Sequence, residues 1–350
     1  MLVDSPPKQS AEPQSAPASR KRHLLRATGL LVAVGVLLLV CVASIAVGAK
    51  SIPLADVWHG LFDNQGSGND VIVADVRVPR TLLGLIAGAA LGLAGAVMQA
   101  LTRNPLAEPG LLGVNAGASA AVVSAISFLG VTSLTGYVWF AFLGAGVVSV
   151  LVYILGGSRS ATPVRLALAG TAATAALYGY INAVQLLDSA ALERLRFWTV
   201  GSLASADMET IGKVAPFIGA GVLLALLLAR PLNAMEMGDD TARSLGAHLN
   251  RTRALSMLAV TLLCGAATAA CGPIIFIGLM IPHLVRSITG PDMRWILPYA
   301  TVLAPVLLLG ADVVGRVVTR PAELQVGIVT ALIGGPVFIH LVRRKRMAQL

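Results

Sequence analysis

Charge is what this chain has least of. Only 12% of its 350 residues are Asp, Glu, Lys or Arg, where an ordinary soluble domain carries roughly a quarter. That is too little polar surface to cover a water-soluble fold of this size, so a soluble globular chain is excluded. Cysteine is scarce as well. Cys41, Cys264 and Cys271 each lie in an apolar run without metal-ligand spacing, which excludes a disulfide framework or a zinc centre. Aromatic residues make up 5% of the chain and do not interleave with basic ones, so the net charge of +9 has no nucleic-acid reading.

Catalytic motifs are missing too. The five histidines, His23, His59, His248, His283 and His340, are dispersed, and no HExxH or carboxylate pair marks a hydrolytic or metal centre. The P-loop pattern G-x-x-x-x-G-K-[ST] is absent; the single Gly-Lys pair, Gly212 and Lys213, is followed by Val214. Ionisable groups avoid the interiors of the apolar runs. Asp188, Asp312 and Glu323 lie near predicted ends, and Gln99 and Gln185 are the large polar residues in or near a span. This pattern disfavours coupling to a proton or sodium gradient, and an ion-coupled secondary transporter of a small metabolite stands as the alternative reading.

What the chain does have is apolar runs: 56% of its residues are hydrophobic and mean hydropathy is +0.80. A membrane span needs roughly 20 such residues. Spans are predicted near 27–48, 81–101, 112–130, 137–156, 165–187, 210–229, 254–271, 274–288, 296–316 and 324–342, an all-α polytopic protein of about ten helices. The eighth contains Pro282 and His283. Residues 1–22, rich at first in Pro, Ser, Ala and Gln, are expected to be a disordered cytoplasmic tail, and 23–346 a single transmembrane domain. With both termini on one side, 18 of the 26 Lys and Arg fall on that side and 8 on the other. The positive-inside rule makes the richer side cytoplasmic.

Two further features stand out. Residues 95–113, GAVMQALTRNPLAEPGLLG, echo 271–290, CGPIIFIGLMIPHLVRSITG, five spans later; an odd offset puts the two in opposite orientations, as an inverted five-helix repeat would. Shared Gly and Ala composition would leave the same echo. Residues 230–253, RPLNAMEMGDDTARSLGAHLNRTR, form a polar island between apolar halves, in which Asp239, Asp240 and Thr241 can cap a short helix that Gly246 ends. By charge pattern alone it reads either as a solvated loop or as a handle for a partner outside the membrane.

The segments RVPR (77–80), LAGAVMQALTRNPLAEPGLLGVNAGA (93–118), MGDDTARSLG (237–246), GPIIFIGLMIPHLVRSITG (272–290) and ADVVGR (311–316) occur together in this order. They resemble the FecCD family, permeases of ABC importers for iron-siderophores, haem and cobalamin, and the resemblance runs from about residue 30 to 342.

The resemblance implies a type II ABC importer permease in the bacterial cytoplasmic (inner) membrane, with both termini cytoplasmic. It implies as partners two ABC ATPase subunits, an extracytoplasmic solute-binding protein, a second permease copy as homodimer or paralogous heterodimer, and membrane lipid. No cofactor is implied for this chain; ATP and Mg belong to the partner ATPase. Met237, Gly238, Asp239, Asp240, Ala242, Arg243, Leu245 and Gly246 match the segment that couples to the ATPase. Arg77, Arg80 and Arg316 match arginines that receive carboxylates of the binding protein. The loop 158–165 stands where the family places a cytoplasmic gate, which points to Ser160 and Thr162, although Pro163 and Val164 occupy positions where the cobalamin permease carries small hydroxyl residues.

Overall fold

The computed structural model describes residues 16–63, 66, 68–131, 133–157 and 163–347. The gate residues Ser160 and Thr162 lie outside them. Among the described residues there is no strand. With no water in a bilayer core to satisfy peptide groups, helices that bond internally are the available solution.

Seven helices are long and apolar enough to cross a membrane, and three shorter apolar helices join them. These match the ten expected spans. They are α1 (Ala16–Ala46), α4 (Val78–Thr102), α5 (Val114–Leu129), α6 (Leu134–Leu155), α7 (Pro163–Leu187), α9 (Met208–Leu227), α12 (Leu249–Cys271), α13 (Ile277–Thr289), α14 (Met293–Val318) and α15 (Val326–Met347). Between them run short helices that the apolar pattern does not show: α2 (Leu54–Phe62), α3 (Gly68–Val71), α8 (Ser189–Trp198), α10 (Ala229–Glu236) and α11 (Asp239–Ser244), with a π-turn over Ile72–Arg77 and a 3₁₀ turn over Pro109–Leu112. Helix α1 starts within the stretch expected to be tail. Its basic residues 20–22 are compatible with helix, which only Pro or Gly would strongly oppose.

Helix α4 is the axis of the bundle, buried over most of its length and packed against α14, α12, α13 and α9. Small residues allow that approach. A methyl group added at Gly88 would stand 2.6 Å from Pro305 Cα, and one at Gly95 would run into the carbonyl of Gly278. Interfaces of this kind, backbone against backbone, are the usual means of packing helices where lipid supplies no hydrophobic drive.

Helix α13 continues through Pro282. A proline in a helix removes the donor for the carbonyl four residues earlier, here Gly278. Gln99 on α4 supplies a replacement, its amide donating to Leu279 O at 3.1 Å and Gly278 O at 3.4 Å.

The two echoing segments share an element order. Each is a long helix, a break and a short helix: α4, 103–113, α5 and α12, 272–276, α13. Their breaks meet, with Glu108 Oε1 accepting from the backbone N–H of Phe276 at 3.3 Å. The long helices run in opposite directions, the end of α4 and the start of α12 both meeting Asp239.

Both ends of the described chain lie on one face of the bundle: His23 rests 5.9 Å from Trp295 near the start of α14, and α15 begins at the far end of α14, where Leu324 N bonds Gly315 O at 3.2 Å. This face is called the terminal face below, the other the opposite face.

Candidate functional site

On the opposite face, Arg77, Arg80 and Arg316 come together. Arg80 near the start of α4 straddles Asp312 of α14, with Nε at 3.0 Å from Oδ2 and Nη2 at 2.8 Å from Oδ1, while its Nη1 reaches Glu323 at 2.7 Å. Arg316, one turn beyond Asp312, lies 3.0 Å from its other side and donates to the carbonyl of Ser44 at 3.0 Å. Arg77 donates to the carbonyls of Ile45 and Lys50. The guanidiniums therefore tie the end of α1 and the chain just after it to α4 and α14.

The burial differs from what the resemblance implies. Arg77 and Arg80 are 5% exposed, Arg316 2% and Asp312 0%; these are internal braces, not rim charges. Burying a charge is costly unless it is paired and hydrogen-bonded, and here Asp312 and the carbonyls at the end of α1 provide that. Glu323, with its side chain 35% exposed, is the accessible member. It borders a cavity of about 490 Å³ lined also by Arg80, Tyr137, Trp198, Ser202 and Gln325. Asp312 and Glu323 escaped the sequence reading as partners; the spacing of Asp312 and Arg316, one helical turn apart, is the local signal that could have exposed half of the cluster.

On the terminal face, the polar island folds into α10, α11 and the start of α12. Asp239 and Asp240 fill the first turn of α11, where the positive end of the helix dipole favours carboxylates. Gly246, at φ +81, ends it: Gly246 N bonds Arg243 O and Ala247 N bonds Ala242 O, each at 2.9 Å, a Schellman closure that the left-handed glycine permits.

The island is fastened to four spans. Asp239 pairs with Arg103 at the end of α4 and with Arg253 of α12 at 2.7 Å. Glu236 pairs with Arg286 of α13 at 2.7 Å. Asn233 donates to Asp292 at 2.7 Å and accepts from Met293 N at 2.8 Å, just where α14 starts. Asp292 also caps α14 and grips Arg294, and those bonds hold its carboxyl down at about 2.

The expected coupling residues thus divide by role. Asp239 and buried Ala242 anchor; Gly238 and Gly246 turn the chain. Met237 at 65% and Leu245 at 63% exposure stand outward, beside Asp240 and Arg243, which are exposed and bridge each other at 3.2 Å. Two large apolar side chains thus stand exposed on either side of the short charged helix.

A ten-span bundle with long–break–short units in opposite orientations, and a braced polar segment on one face, defines a multi-pass membrane permease. The FecCD transport family matches residues 36–344, and the chain belongs to that family. It is 49% identical to the ferric enterobactin transport system permease protein FepD of Escherichia coli (strain K12), over 89% of this chain and 94% of that protein. It is 39% identical to the Fe(3+)-citrate import system permease protein YfmD of Bacillus subtilis (strain 168), over 87% and 90%, and 36% identical to the hemin transport system permease protein HmuU of Yersinia pestis, over 89% and 93%. Its fold superposes with a TM-score of 0.81 on a solved structure described as an inward-facing metal-chelate type ABC transporter, at 27% identity over 91% of this chain and 99% of that one.

Proposed function

We propose that this chain is the membrane-spanning subunit of an ABC importer that carries an iron chelate into the bacterial cytoplasm by alternating access, with its terminal face cytoplasmic. The observation that carries the reading is the braced island: Met237 and Leu245 stand exposed on a segment fastened by ion pairs and hydrogen bonds to α4, α12, α13 and α14. An ATPase subunit that grips those residues moves four spans at once, so closure on ATP is passed to the bundle as a rigid-body shift. Iron is the complexed cargo in this reading, not a resident metal of the chain.

A second permease copy completes the pathway. Helix α7 is largely exposed and presents Tyr178 and Asn182, polar groups at home against water or another subunit. On the opposite face, the solute-binding protein docks at the 490 Å³ cavity. There one of its carboxylates takes the place of half-exposed Glu323 on Arg80, a bidentate exchange that a guanidinium accommodates. Arg316 acts by holding Asp312 in position, and Arg77 by fixing the end of α1 and the chain after it.

The test is uptake in proteoliposomes holding the permease and its ATPase, with the binding protein added outside. Ferric chelate accumulates only with internal ATP and persists with an uncoupler. Uptake that survives ATP removal and fails with the uncoupler would establish the ion-coupled alternative.

A further inference from the structure

At the terminal face a cleft of about 680 Å³ opens between the end of α9, the start of α10 and the start of α12. Its walls are leucines, Leu224, Leu227 and Leu255 among them, and its mouth carries Arg230, His248 and Arg251. Among the described residues neither arginine has an ion-pair partner. Every acidic side chain that bridges a cation on this face is committed elsewhere: Asp239 to Arg103 and Arg253, Glu236 to Arg286, Asp240 to Arg243, and Asp292 to Arg294. Helix α12 also begins here without a side-chain cap, its N-cap residue being His248, so the free N–H groups of its first turn face the same mouth with the positive end of the helix dipole.

We infer that this cleft binds an anionic phospholipid of the cytoplasmic leaflet, its phosphate between Arg230, Arg251 and the start of α12 and an acyl chain against the leucines. The inference rests on the cytoplasmic placement of the terminal face. Two unpaired guanidiniums and an open helix start call for an anion. The apolar wall at the level where α9 enters the membrane calls for one with a hydrocarbon tail, which a free phosphate or an acidic peptide lacks. Basic pockets between spans on the cytoplasmic side are where anionic headgroups settle. Leu245, Gly246 and Ala247 line the same cleft, so the lipid would steady the loop joining α11 to α12 and with it the contact surface of the island.

Native mass spectrometry of the detergent-purified chain, after exchange into mixtures of phosphatidylglycerol and phosphatidylcholine, reads this directly. The wild type is expected to retain phosphatidylglycerol in preference to phosphatidylcholine, and millimolar inorganic phosphate should not displace it. R230Q/R251Q should lower retention about tenfold or more, R230K/R251K should keep most of it, and R343Q, which removes an exposed charge from the same face outside the cleft, should leave it unchanged. Equal retention by wild type and R230Q/R251Q, with both eluting as folded protein, overturns the proposal, as does displacement by phosphate. If R230Q/R251Q sheds the ATPase while keeping its lipid, the arginines serve the protein partner and the lipid site is wrong. Failure of lipid retention with the ATPase still bound leaves the importer reading intact.

Discussion

Asp239 on α11 and Arg253 on α12 are joined at 2.7 Å, so the short helix of the island is tied to the start of a long one. Arg103 holds the same carboxylate from the end of α4. Asp239 is about one-third exposed, so losing the pairs costs little stability, about 1 kcal/mol, and the consequence is mechanical. D239A should still copurify with the ATPase, yet transport fewer chelate molecules per ATP hydrolysed, by several-fold. Measuring uptake and hydrolysis on one proteoliposome preparation checks this, and an unchanged ratio would show that Asp239 transmits nothing.

On the opposite face the energetics are of another size. D312N leaves Arg80 and Arg316 buried without the carboxylate between them, a change that costs roughly 3–5 kcal/mol when one partner of a buried pair is removed. Thermal unfolding in detergent should show a clear fall in Tm. Replacing all three, as D312L/R80M/R316M, should recover most of that loss, because a buried ion cluster exchanged for apolar groups of similar volume is close to neutral. Uptake should be lost in the triple variant, since Arg80 is gone from the cavity proposed for docking.

Much of this architecture could be read from sequence, and the division is physical. Each of the ten spans declares itself by composition, because lipid tolerates little else over that length. The island was visible as the polar interruption it is, and its helix as a glycine-ended stretch; the expected cap did not form, since Gly238 stands at the N-cap without a side-chain bond and Asp239 and Asp240 lie inside the first turn. What stayed hidden depends on distant residues meeting: Asp312 and Glu323 are 232 and 243 residues from Arg80, and nothing local to either announces the other. The burial of the arginines was hidden for the same reason. Helix α8 was also missed. It is a short surface piece started by Asp188, which accepts from Ala190 N and Ala191 N at 3.1 Å, and it lacks the apolar run that reveals a span.

The helix axis gives a steric prediction. G95A sends a methyl into the carbonyl of Gly278, whereas Gly146 has open space around it and accepts one freely. G95A should therefore lose roughly 1–3 kcal/mol through overpacking, read as lower yield and lower Tm, and G146A should match the wild type or exceed it slightly through helix propensity.

The acid limit of the terminal face follows from Asp292. Its carboxyl titrates at about 2 when folded, against an ordinary 3.8, because Arg294 and Asn233 bond its charged form. A depressed value contributes stability that is complete above pH 4 and is lost as pH falls toward 2. Arg294 is 58% exposed, so screening limits the contribution to on the order of 1 kcal/mol. D292N should lower Tm at neutral pH and flatten its decline between about pH 4 and 2; an equally steep decline would assign that acid sensitivity to other carboxylates.

In the proposed mechanism the exposed residues of the island are the seat of the ATPase. Copurification tests it most directly: the permease is tagged, coexpressed with its ATPase, and the ATPase retained per permease is quantified for wild type and for R243D/L245D. Both substituted side chains are exposed and neither braces the bundle, so the variant should fold and elute as the wild type does while losing nearly all of its ATPase. Full retention by a folded R243D/L245D would contradict the account.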